Sequence, residues 1–252
     1  MLTYERQEAI LKLLEQQKIA KLSELTSATG ASESTIRRDL SELEKQNRIK
    51  RIHGGASLPS RKSEEPDMQT KRQVFTKAKD QIGRLAAGRI ADGDSVFIDA
   101  GTSTEAMISH IQSKDVTIVT NGLNIIEASI RAGFRTYVLG GYVKSGTHAF
   151  VGRAAVEAMK QYRFDKAFIG TNGVDLEFGY STPDPEEANI KQLAIREAQQ
   201  AFVLADASKL NQTSFSRFAE LQEAELITEE TDSLEKFLHQ LMDYTRVKAV
   251  RL

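Results

Sequence analysis

The sequence predicts an α/β protein with an N-terminal winged helix-turn-helix followed by a C-terminal, mostly parallel α/β sheet. Two observations predict this fold class. Amphipathic helical segments joined by a glycine-containing turn open the chain, and short apolar runs then alternate with helical segments. We expect a helix-turn-helix domain at residues 1–56, a linker at 57–75 and an α/β domain at 76–252.

The charge is divided unevenly between these parts. The 252 residues carry 34 Lys and Arg and 35 Asp and Glu, for a net charge of -1. Residues 1–62 hold 12 basic and 8 acidic side chains, whereas the remainder holds 22 and 27. The balance excludes a chain that is basic throughout, such as a histone-like DNA coater. A basic head on an acidic body indicates two parts with separate functions.

The composition excludes several kinds of chemical site. The chain has no cysteine, which excludes disulfides, thiolate metal sites and a cysteine nucleophile. Its histidines, His53, His110, His148 and His239, lack metal-site or catalytic spacing. We therefore expect no metal and no cofactor. No segment approaches the roughly 20 apolar residues of a membrane span, and charge interrupts the N-terminal segment, so we expect a cytoplasmic protein.

Two amphipathic helices are predicted at the start of the chain. Ile10 and Leu14 recur at helical spacing among charged residues, which predicts a helix over 3–17. A shorter helix is predicted over 21–29, with Gly30 ending it. A helix, a turn with glycine and a further helix form the helix-turn-helix pattern.

The third helix is predicted over 33–46, with Ser32 as its N-cap. Ile36, Leu40 and Leu43 form one apolar stripe that we expect to be buried. The opposite face and its flank carry small hydroxyls and two arginines: Ser34, Thr35, Arg37, Arg38 and Ser41.

This polar face suits a recognition helix in the major groove of DNA. Arginine binds guanine bidentately, and serine or threonine binds phosphates or bases. Asp39 lies beside the buried stripe and cannot face phosphate favourably, so we assign it to orienting an arginine or to helix structure. A solvated charged helix followed by a loop is the alternative interpretation.

A basic hairpin is predicted after the third helix. A short strand over 48–52 runs into Gly54 and Gly55, where the chain turns. Lys50, Arg51 and His53 would place positive charge against the DNA backbone. This hairpin, the turn spacing and the separation of faces together favour the DNA-binding interpretation over the solvated helix.

These segments resemble the DeoR family of bacterial repressors. The matching residues are Arg6, Ile10, Leu14, Ser32 to Leu40, Leu43 and Arg51 to Ala56. The pattern is longer and more specific than a generic helix-turn-helix. The resemblance implies a winged helix-turn-helix that reads an operator.

Residues 57–75 lose periodicity. Pro59 and Pro66 lie among Ser, Lys and Glu in this stretch. We interpret it as a partly ordered tether that lets the two domains move.

The remainder alternates apolar runs with helical patterns, which predicts a largely parallel sheet covered on both faces. The candidate strands are 95–98, 116–119, 136–139, 167–169, 202–204 and 247–250. Polar and glycine-rich residues follow five of these strands, at the sheet edge where open α/β sheets bind ligands. The candidate ligand-binding residues there are Asp99, Gly101, Thr102, Ser103, Thr104, Thr120, Asn121, Gly140, Gly141, Gly170, Asp206 and Lys209.

The cluster after the first strand suits a phosphate. Gly101 lets the backbone approach closely, and residues 102–104 supply hydroxyls and N–H groups at a helix start. Asp99 suits sugar hydroxyls, and Lys209 offers a positive charge. The dinucleotide and P-loop motifs are absent from the sequence.

Glu187 and Lys191 are four residues apart on a predicted helix, so they either contact ligand or pair with each other. Glycines after strands are often only turns. Because five polar clusters converge on one edge, we favour a pocket.

The second part is similar to the DeoR effector domain, whose fold is like that of ribose-5-phosphate isomerase and glucosamine-6-phosphate deaminase. The stretches that match the family pattern lie at 98–104, 120–121, 140–141, 164–175, 186–191 and 204–209. Ser103 departs from the pattern, in which many members have threonine, but keeps the hydroxyl. The resemblance implies a phosphorylated-sugar effector. The loop at 179–187 is closest to the fructose-operon regulators of Gram-positive bacteria, which suggests fructose 1-phosphate, with tagatose 6-phosphate next.

The sequence thus predicts a repressor of a sugar-utilisation operon, controlled by a sugar phosphate and acting as at least a homodimer on operator DNA. One alternative is a sugar-phosphate isomerase or deaminase with an accessory head, since Asp99, Glu187, Asp206 and Lys209 could supply acid–base groups. Another is a DNA-binding scaffold whose body only oligomerises.

Overall fold

The chain forms two compact units, Met1–Arg61 and Lys62–Leu252. The structure is a computed structural model that describes residues 2–17, 19–46, 48–52, 54–58 and 65–251. The first unit combines helices with a small antiparallel sheet, and the second is built on a parallel sheet. Both features of the predicted fold class are therefore confirmed.

The described residues of the first unit form three helices and three short strands. They are α1 (Thr3–Gln17), β1 (Ile19–Lys21), α2 (Leu22–Thr29), α3 (Glu33–Lys45), β2 (Lys50–Ile52) and β3 (Gly55–Ser57). The three helices follow the predicted ranges closely. Strand β1 was not predicted, because three residues carry too little periodicity to identify a strand.

The turn between α2 and α3 follows from its local chemistry. Gly30 adopts φ 67°, a left-handed conformation that glycine reaches without a steric cost, and its N–H donates to Thr26 O at 2.8 Å. Ser32 caps α3 as predicted, since its Oγ accepts the N–H of Thr35 at 3.3 Å. The apolar stripe of α3 is fully buried, and it packs with Ile10, Leu14 and Leu25 of the other two helices.

Strands β2 and β3 form the predicted hairpin, and β1 pairs with the outer side of β3. Ala56 is the partner of both Arg51 and Ala20, so β3 is the middle strand. A Cβ atom on Gly55 would lie 2.1 Å from the carbonyl oxygen of Ala20. Only glycine allows the two backbones this close approach.

The second unit alternates helices with strands. Its elements are α4 (Met68–Gln73), α5 (Thr76–Ala87), β4 (Ser95–Ile98), α6 (Thr102–Ile108), β5 (Thr117–Thr120), α7 (Leu123–Arg131), β6 (Arg135–Val138), β7 (Tyr142–Val143), β8 (Phe150–Val151), α8 (Arg153–Met159), β9 (Phe164–Gly170), β10 (Gly173–Asp175), β11 (Gly179–Thr182), α9 (Pro185–Arg196), β12 (Ala198–Leu204), β13 (Ser216–Ala219), β14 (Glu225–Glu230), α10 (Glu235–Leu241) and β15 (Val247–Arg251).

Seven of these strands form one parallel sheet in the order β15-β14-β12-β9-β4-β5-β6. The chain proceeds outward from β4 through β5 to β6 and then crosses back to β9 on the other side of β4. This crossover makes the gap beyond β4 and β9 a topological switch point, the position at which open α/β sheets bind ligands. All six predicted strands belong to this sheet.

The sequence did not predict β14, nor the antiparallel strands β7, β8, β10, β11 and β13. Strand β14 lies between β12 and β15, and it contains three acidic residues, Glu225, Glu229 and Glu230. Because these charged residues interrupt the apolar pattern, the periodicity of the sequence does not indicate a strand here.

The sheet is covered on both faces, as expected for buried parallel strands. One core includes Phe97, Ala167 and Val203, and the core on the opposite face includes Ile98 and Phe168. The alternation of neighbouring strand residues between the two cores follows from the two-residue period of a strand.

The stretch interpreted as a linker contains ordered structure of the second unit. Helix α4 lies within it, Met68 is buried, and the N–H of Met68 donates to Gly146 O at 3.0 Å. Asp67 caps this helix by accepting the N–H of Thr70 at 2.7 Å. Residues 59–64 of the predicted linker lie outside the described residues.

Candidate functional site

The exposed face of α3 carries the residues predicted to bind DNA. Arg37 and Arg38 are exposed, with Arg38 opposite the buried stripe and Arg37 at its flank. Ser34 is exposed and Thr35 is half-buried, both in the first turn. Arg37 has Glu33 beside it, with an Nη2 to Oε2 distance of 3.4 Å, in an ion pair open to solvent that contributes little to stability.

Asp39 has a structural role in this unit. Its carboxylate accepts two hydrogen bonds from Arg6 of α1, the longer at 3.0 Å, and the carboxylate is buried. Hydrogen bonding to Asp39 raises the pKa of the Arg6 guanidinium. The pair fixes α3 against α1, which agrees with the expectation that Asp39 orients an arginine.

The hairpin is joined to α3 by side-chain hydrogen bonds. The N–H of Arg51 donates to Glu44 Oε1 at 3.0 Å, and Arg51 Nη1 donates to Ser41 Oγ at 3.1 Å. Two predicted DNA-binding residues therefore contact each other. Lys50 lies half-buried at the start of β2. His53, also predicted to bind DNA, lies outside the described residues.

The carboxyl edge of the parallel sheet contains a buried ion pair at the switch point. Asp99 follows β4 and is 1% exposed, while Lys191 of α9 is 3% exposed. Lys191 Nζ contacts Asp99 Oδ2 and donates to Gly170 O at 3.0 Å, and the N–H of Gly170 donates to the same carboxylate oxygen at 3.0 Å. Burial opposes the charge on Lys191, yet the carboxylates of Asp99, Glu187 and Glu65 together outweigh burial and raise the pKa of the lysine.

Glu187 does not pair with Lys191, although the two residues lie one turn apart. It accepts hydrogen bonds from Lys144 Nζ and Thr147 Oγ1, each at 2.7 Å. Lys144 also lies 2.7 Å from Asp184 Oδ2. The alternative in which Glu187 pairs with Lys191 is wrong, because the loop between β7 and β8 supplies a closer partner to Glu187.

Three predicted ligand-binding side chains make hydrogen bonds to the backbone. Thr104 Oγ1 donates to Asp99 O at 2.7 Å, and Thr120 Oγ1 donates to Ile98 O at 2.6 Å. Asn121 Oδ1 accepts the N–H of Ala100 at 2.9 Å. These three side chains fix the conformation of the loop after β4. The buried Nδ2 of Asn121 lacks a hydrogen-bond partner among the described residues.

The other predicted ligand-binding residues lie around this loop and at the neighbouring strand ends. Thr102 and Ser103 are half-buried at the start of α6, and Gly101 precedes them. Gly140 and Gly141 follow β6, where a Cβ atom on Gly141 would lie 2.5 Å from Val151 O.

Asp206 follows β12 and caps the turn that contains Lys209, since its Oδ1 accepts the N–H of Ser208 at 3.0 Å. Lys209 is half-buried in that turn. Asp206 also acts on Lys79 of α5, whose pKa burial lowers to about 8, with Asp206 opposing this shift.

The structure adds residues that sequence reasoning missed. Lys144 and Thr147 come from a loop without periodicity, and Glu65 comes from the stretch interpreted as a linker. Glu65 Oε1 contacts Lys71 Nζ and accepts a hydrogen bond from Asn172 Nδ2 at 3.2 Å. Nothing in the local sequence marks the contacts of Lys144 and Thr147 with Glu187 or of Glu65 with Asn172, because they join segments far apart in the chain.

A cavity of about 700 Å³ lies at the opposite edge of the sheet, where β12, β14 and β15 begin. Its lining includes Arg89, Glu225 and Arg246, and it includes none of the predicted ligand-binding residues. We place the candidate ligand site at the carboxyl edge, where the buried charges converge. Across the described ranges, no cluster of three or more His, Asp or Glu could hold a metal, and no helix is long and apolar enough to cross a membrane.

Two family models match the chain, one to each unit. Residues 6–62 match the DeoR-like helix-turn-helix domain, and residues 74–230 match the DeoR C-terminal sensor domain. The chain belongs to the DeoR family. The match of the sensor model alone covers more than half of this DeoR-family chain.

Similar proteins are transcriptional regulators. The chain is 47% identical over its full length to a Bacillus subtilis protein named as an uncharacterized HTH-type transcriptional regulator, FruR, which it also covers completely. It is 37% identical to the B. subtilis repressor GlcR, over 88% of this chain and 86% of that one. It is 34% identical to the lactose phosphotransferase system repressor of Staphylococcus epidermidis, over 92% and 94%.

Among solved structures, the chain is similar to ribose 5-phosphate isomerase A from Methanocaldococcus jannaschii, with a TM-score of 0.40 and 15% identity over 54% of each chain.

The curated relatives settle the class of function. This DeoR-family chain is a transcriptional repressor and not an enzyme.

Proposed function

We propose that this chain represses a sugar-utilisation operon. The first unit binds operator DNA, and the second binds a phosphorylated sugar that changes the affinity for the operator. The protein works in the cytoplasm, where bacterial operator DNA lies.

The exposed arginines of α3 support the DNA-binding half of this proposal. Arg38 lies opposite the fully buried stripe of the same helix and Arg37 lies at its flank, and both are exposed, so they can face a major groove while the helix stays packed. The hydrogen bond from Arg51 to Ser41 holds the wing beside this face. The proposed DNA contacts are Ser34, Thr35, Arg37, Arg38, Ser41, Lys50, Arg51 and His53.

The observation that carries the sensing half is the concentration of buried charge at the switch point. Asp99, Glu187 and Lys191 are each less than 5% exposed, and burying ions costs free energy that a core serving only stability would avoid. The buried Asn121 Nδ2 offers a further donor. The proposed effector contacts are Asp99, Gly101, Thr102, Ser103, Thr104, Thr120, Asn121, Gly140, Gly141, Gly170, Glu187, Lys191, Asp206 and Lys209.

Fructose 1-phosphate is the effector that we favour, with tagatose 6-phosphate second. The segment at 179–187, which spans β11 and the start of α9, resembles fructose-operon regulators, and one similar protein is named a lactose phosphotransferase system repressor. Acidic side chains suit sugar hydroxyls, and lysines suit the phosphate.

The effector acts by preferring one of two states of the protein. A coupling free energy of about 2–3 kcal/mol changes operator affinity by roughly 30- to 150-fold. One helix-turn-helix covers a short half-site, so we expect at least a homodimer on a repeated or palindromic operator.

The test is operator binding titrated with sugar phosphates. Selection from a random duplex library first identifies the operator, and fluorescence anisotropy then measures its dissociation constant. Fructose 1-phosphate, tagatose 6-phosphate and unphosphorylated fructose are compared on the full chain. We expect a phosphorylated sugar, and not fructose, to change operator affinity.

Two outcomes contradict the proposal in different ways. Failure to select any DNA sequence removes the DNA-binding half. Operator affinity and melting temperature that stay constant across the whole panel remove the sensing half.

A further inference from the structure

Strand β6 forms one edge of the seven-stranded sheet. Among the described residues it pairs with β5 alone, so the backbone groups on its other side have no neighbouring strand there. Tyr137 and Val138 of this strand are 46% and 40% exposed, although such side chains pack against neighbours in most sheets. An exposed apolar edge of this kind is a template for pairing with another strand.

The edge at the other end of the sheet is protected by charge. Strand β15 exposes Lys248 and Arg251, while its apolar residues are half-buried. Charged side chains on an edge strand oppose pairing with a second sheet. The contrast between the two edges of one sheet indicates that a partner covers β6 and not β15.

The apolar surface at β6 continues onto α7 and β7. Eleven large apolar side chains are exposed among the described residues, and six of them lie within residues 123–143. These six form what we call the β6 patch: Leu123, Ile130, Tyr137, Val138, Tyr142 and Val143. Helix α7 packs against β6, and the N–H of Leu123 donates to His148 O in the hairpin of β7 and β8 at 3.0 Å. The patch is therefore one continuous surface.

The β6 patch has the size of one side of an interface. Its side chains are between 37% and 68% exposed. They present roughly 600 Å² in total, which is as large as the largest apolar patches on monomers and close to the ~800 Å² that each partner contributes to a standard interface. Two such surfaces that cover each other bury the area that a stable dimer needs.

The charges around the β6 patch suit a second copy of the same chain. Glu127 and Arg131 of α7 lie 3.6 Å apart, and each is at least 70% exposed. A surface that carries both signs can be complementary to its own copy, whereas a partner with one dominant charge would require a surface of the opposite charge.

The strand itself also permits pairing with its own copy. When two β6 strands run antiparallel with Thr136 opposite Tyr137 of the second copy, Arg135 lies opposite Val138. Like charges, which would destabilise the pair, do not face each other in this register.

We propose that two copies of this chain associate through the β6 patch, with the two β6 strands antiparallel about a two-fold axis. The pairing is closed, because each copy covers the free edge of the other. The requirement for at least a homodimer comes from the function proposed above, on which this proposal rests, and the β6 patch supplies the interface.

Sedimentation velocity on the full chain tests the interface by measuring the dissociation constant of the dimer. We expect Ile130→Lys and Val138→Lys each to weaken self-association at least about 10-fold, because each places an ammonium group in an apolar interface. Met242→Lys is the control, since Met242 is 53% exposed outside the patch, and it should leave the constant unchanged.

A second measurement does not depend on loss of association. The chain has no cysteine, so a single introduced thiol reports on one position. In Tyr137→Cys the two thiols should lie near the two-fold axis, and a short bismaleimide should join two chains. Tyr244→Cys is the matched control, because Tyr244 is 54% exposed near the β15 edge, and it should stay unlinked.

The possible outcomes separate the interface from the function. A wild-type dimer that all three lysine variants weaken equally, or that none of them weakens, overturns the proposal, as does crosslinking of Tyr244→Cys alone. A wild type that is monomeric at every concentration overturns it together with the expected homodimer. Failure to select an operator, while the patch variants still dissociate, removes the proposed function and leaves the interface supported.

Discussion

Several charged side chains of the second unit are nearly inaccessible to water, among them Lys79, Asp99, Glu187, Lys191 and Asp206. Each is partnered or lies close to an opposite charge, because an isolated buried ion would be too costly. Both hydrogen-bond acceptors of Lys79 are backbone carbonyls, whereas Lys191 contacts the carboxylate of Asp99 as well as the carbonyl of Gly170. Lys79 Nζ donates to Val74 O at 2.9 Å and also to Lys71 O.

Lys79 gives the protein a specific pH dependence. Burial lowers its pKa from 10.5 to about 8, so the folded chain has lost this proton between those values while the unfolded chain still holds it. Stability from this group therefore rises with pH across that window. We therefore compare the free energy of unfolding of the wild type with that of Lys79→Met. The wild-type value minus the variant value should grow by at most about 3 kcal/mol between pH 8 and pH 10.5.

Denaturant unfolding at a series of pH values measures this difference. Lys77→Met, which changes an exposed lysine of the same helix, is the control and should show no such rise. The change of this difference with pH is the decisive result. Its absolute size is not, because the substitution also removes hydrogen bonds from two carbonyls at every pH. A difference in unfolding free energy that stays constant or falls as the pH rises would contradict the lowered pKa of Lys79.

The residues proposed to bind DNA should fall into two classes. Arg37→Ala or Arg38→Ala should cost about 1–3 kcal/mol of operator binding and relax the preference at one base, if the arginine reads that base. Lys50→Ala should weaken all sequences similarly and reduce the salt dependence. Anisotropy with operator and altered duplexes at several salt concentrations separates these effects.

Lys236→Ala is the control for these variants, because Lys236 is an exposed lysine of the sensor unit. Operator binding that is unchanged in all three DNA-face variants would refute the docking of α3 in the major groove.

Among the elements of the first unit, the helices follow from local patterns and the three-stranded sheet does not. Strand β1 pairs with β3 across more than thirty residues of intervening chain, Ile19 lying opposite Ser57. No local period encodes such a pairing. The glycine pair at the hairpin was predicted for its turn, but Gly55 is required by the backbone of β1 beside it.

Gly55→Ala should therefore destabilise the first unit. The added methyl carbon would meet the Ala20 carbonyl oxygen at 2.1 Å and the Lys21 Cα at 3.0 Å, both backbone atoms that cannot rotate away. We expect a loss of about 1–3 kcal/mol, with weaker operator binding as the wing shifts. Gly88→Ala is the control, since its nearest neighbours would lie at 3.5 Å, an ordinary contact. Equal melting curves for G55A and the wild type would show that β1 and β3 are not so close.

For the molecule as a whole, the division of charge agrees with the division of function. The basic head is small because a helix and a wing suffice to meet DNA phosphates, and the acidic body limits nonspecific adhesion to DNA. A net negative sensor must hold a sugar phosphate by local lysines and donors. The lysines and donors at the carboxyl edge of the sheet are the residues that we propose for this contact.

The effector should stabilise the sensor unit selectively. At a concentration 100 times its dissociation constant, a ligand adds about 2.7 kcal/mol to the stability of the state that binds it. Hydrogen exchange should accordingly slow for amides of β4 and β9, which end at the switch point, and stay unchanged for α1. Equal slowing in α1 would show that the two units respond as one.

The sequence by itself determined the two-part organisation, the three helices of the head, the buried stripe of α3 and the parallel class of the sheet. Each depends on local chemistry or on a period of 3.6 or 2 residues, which a single segment displays. Only the tertiary structure decided the charge pairing at the carboxyl edge. Lys144 and not Lys191 is the hydrogen-bond partner of Glu187, and Glu65 of the predicted linker accepts a hydrogen bond from Asn172. Such pairings depend on which segments the fold brings together, and no local pattern records that.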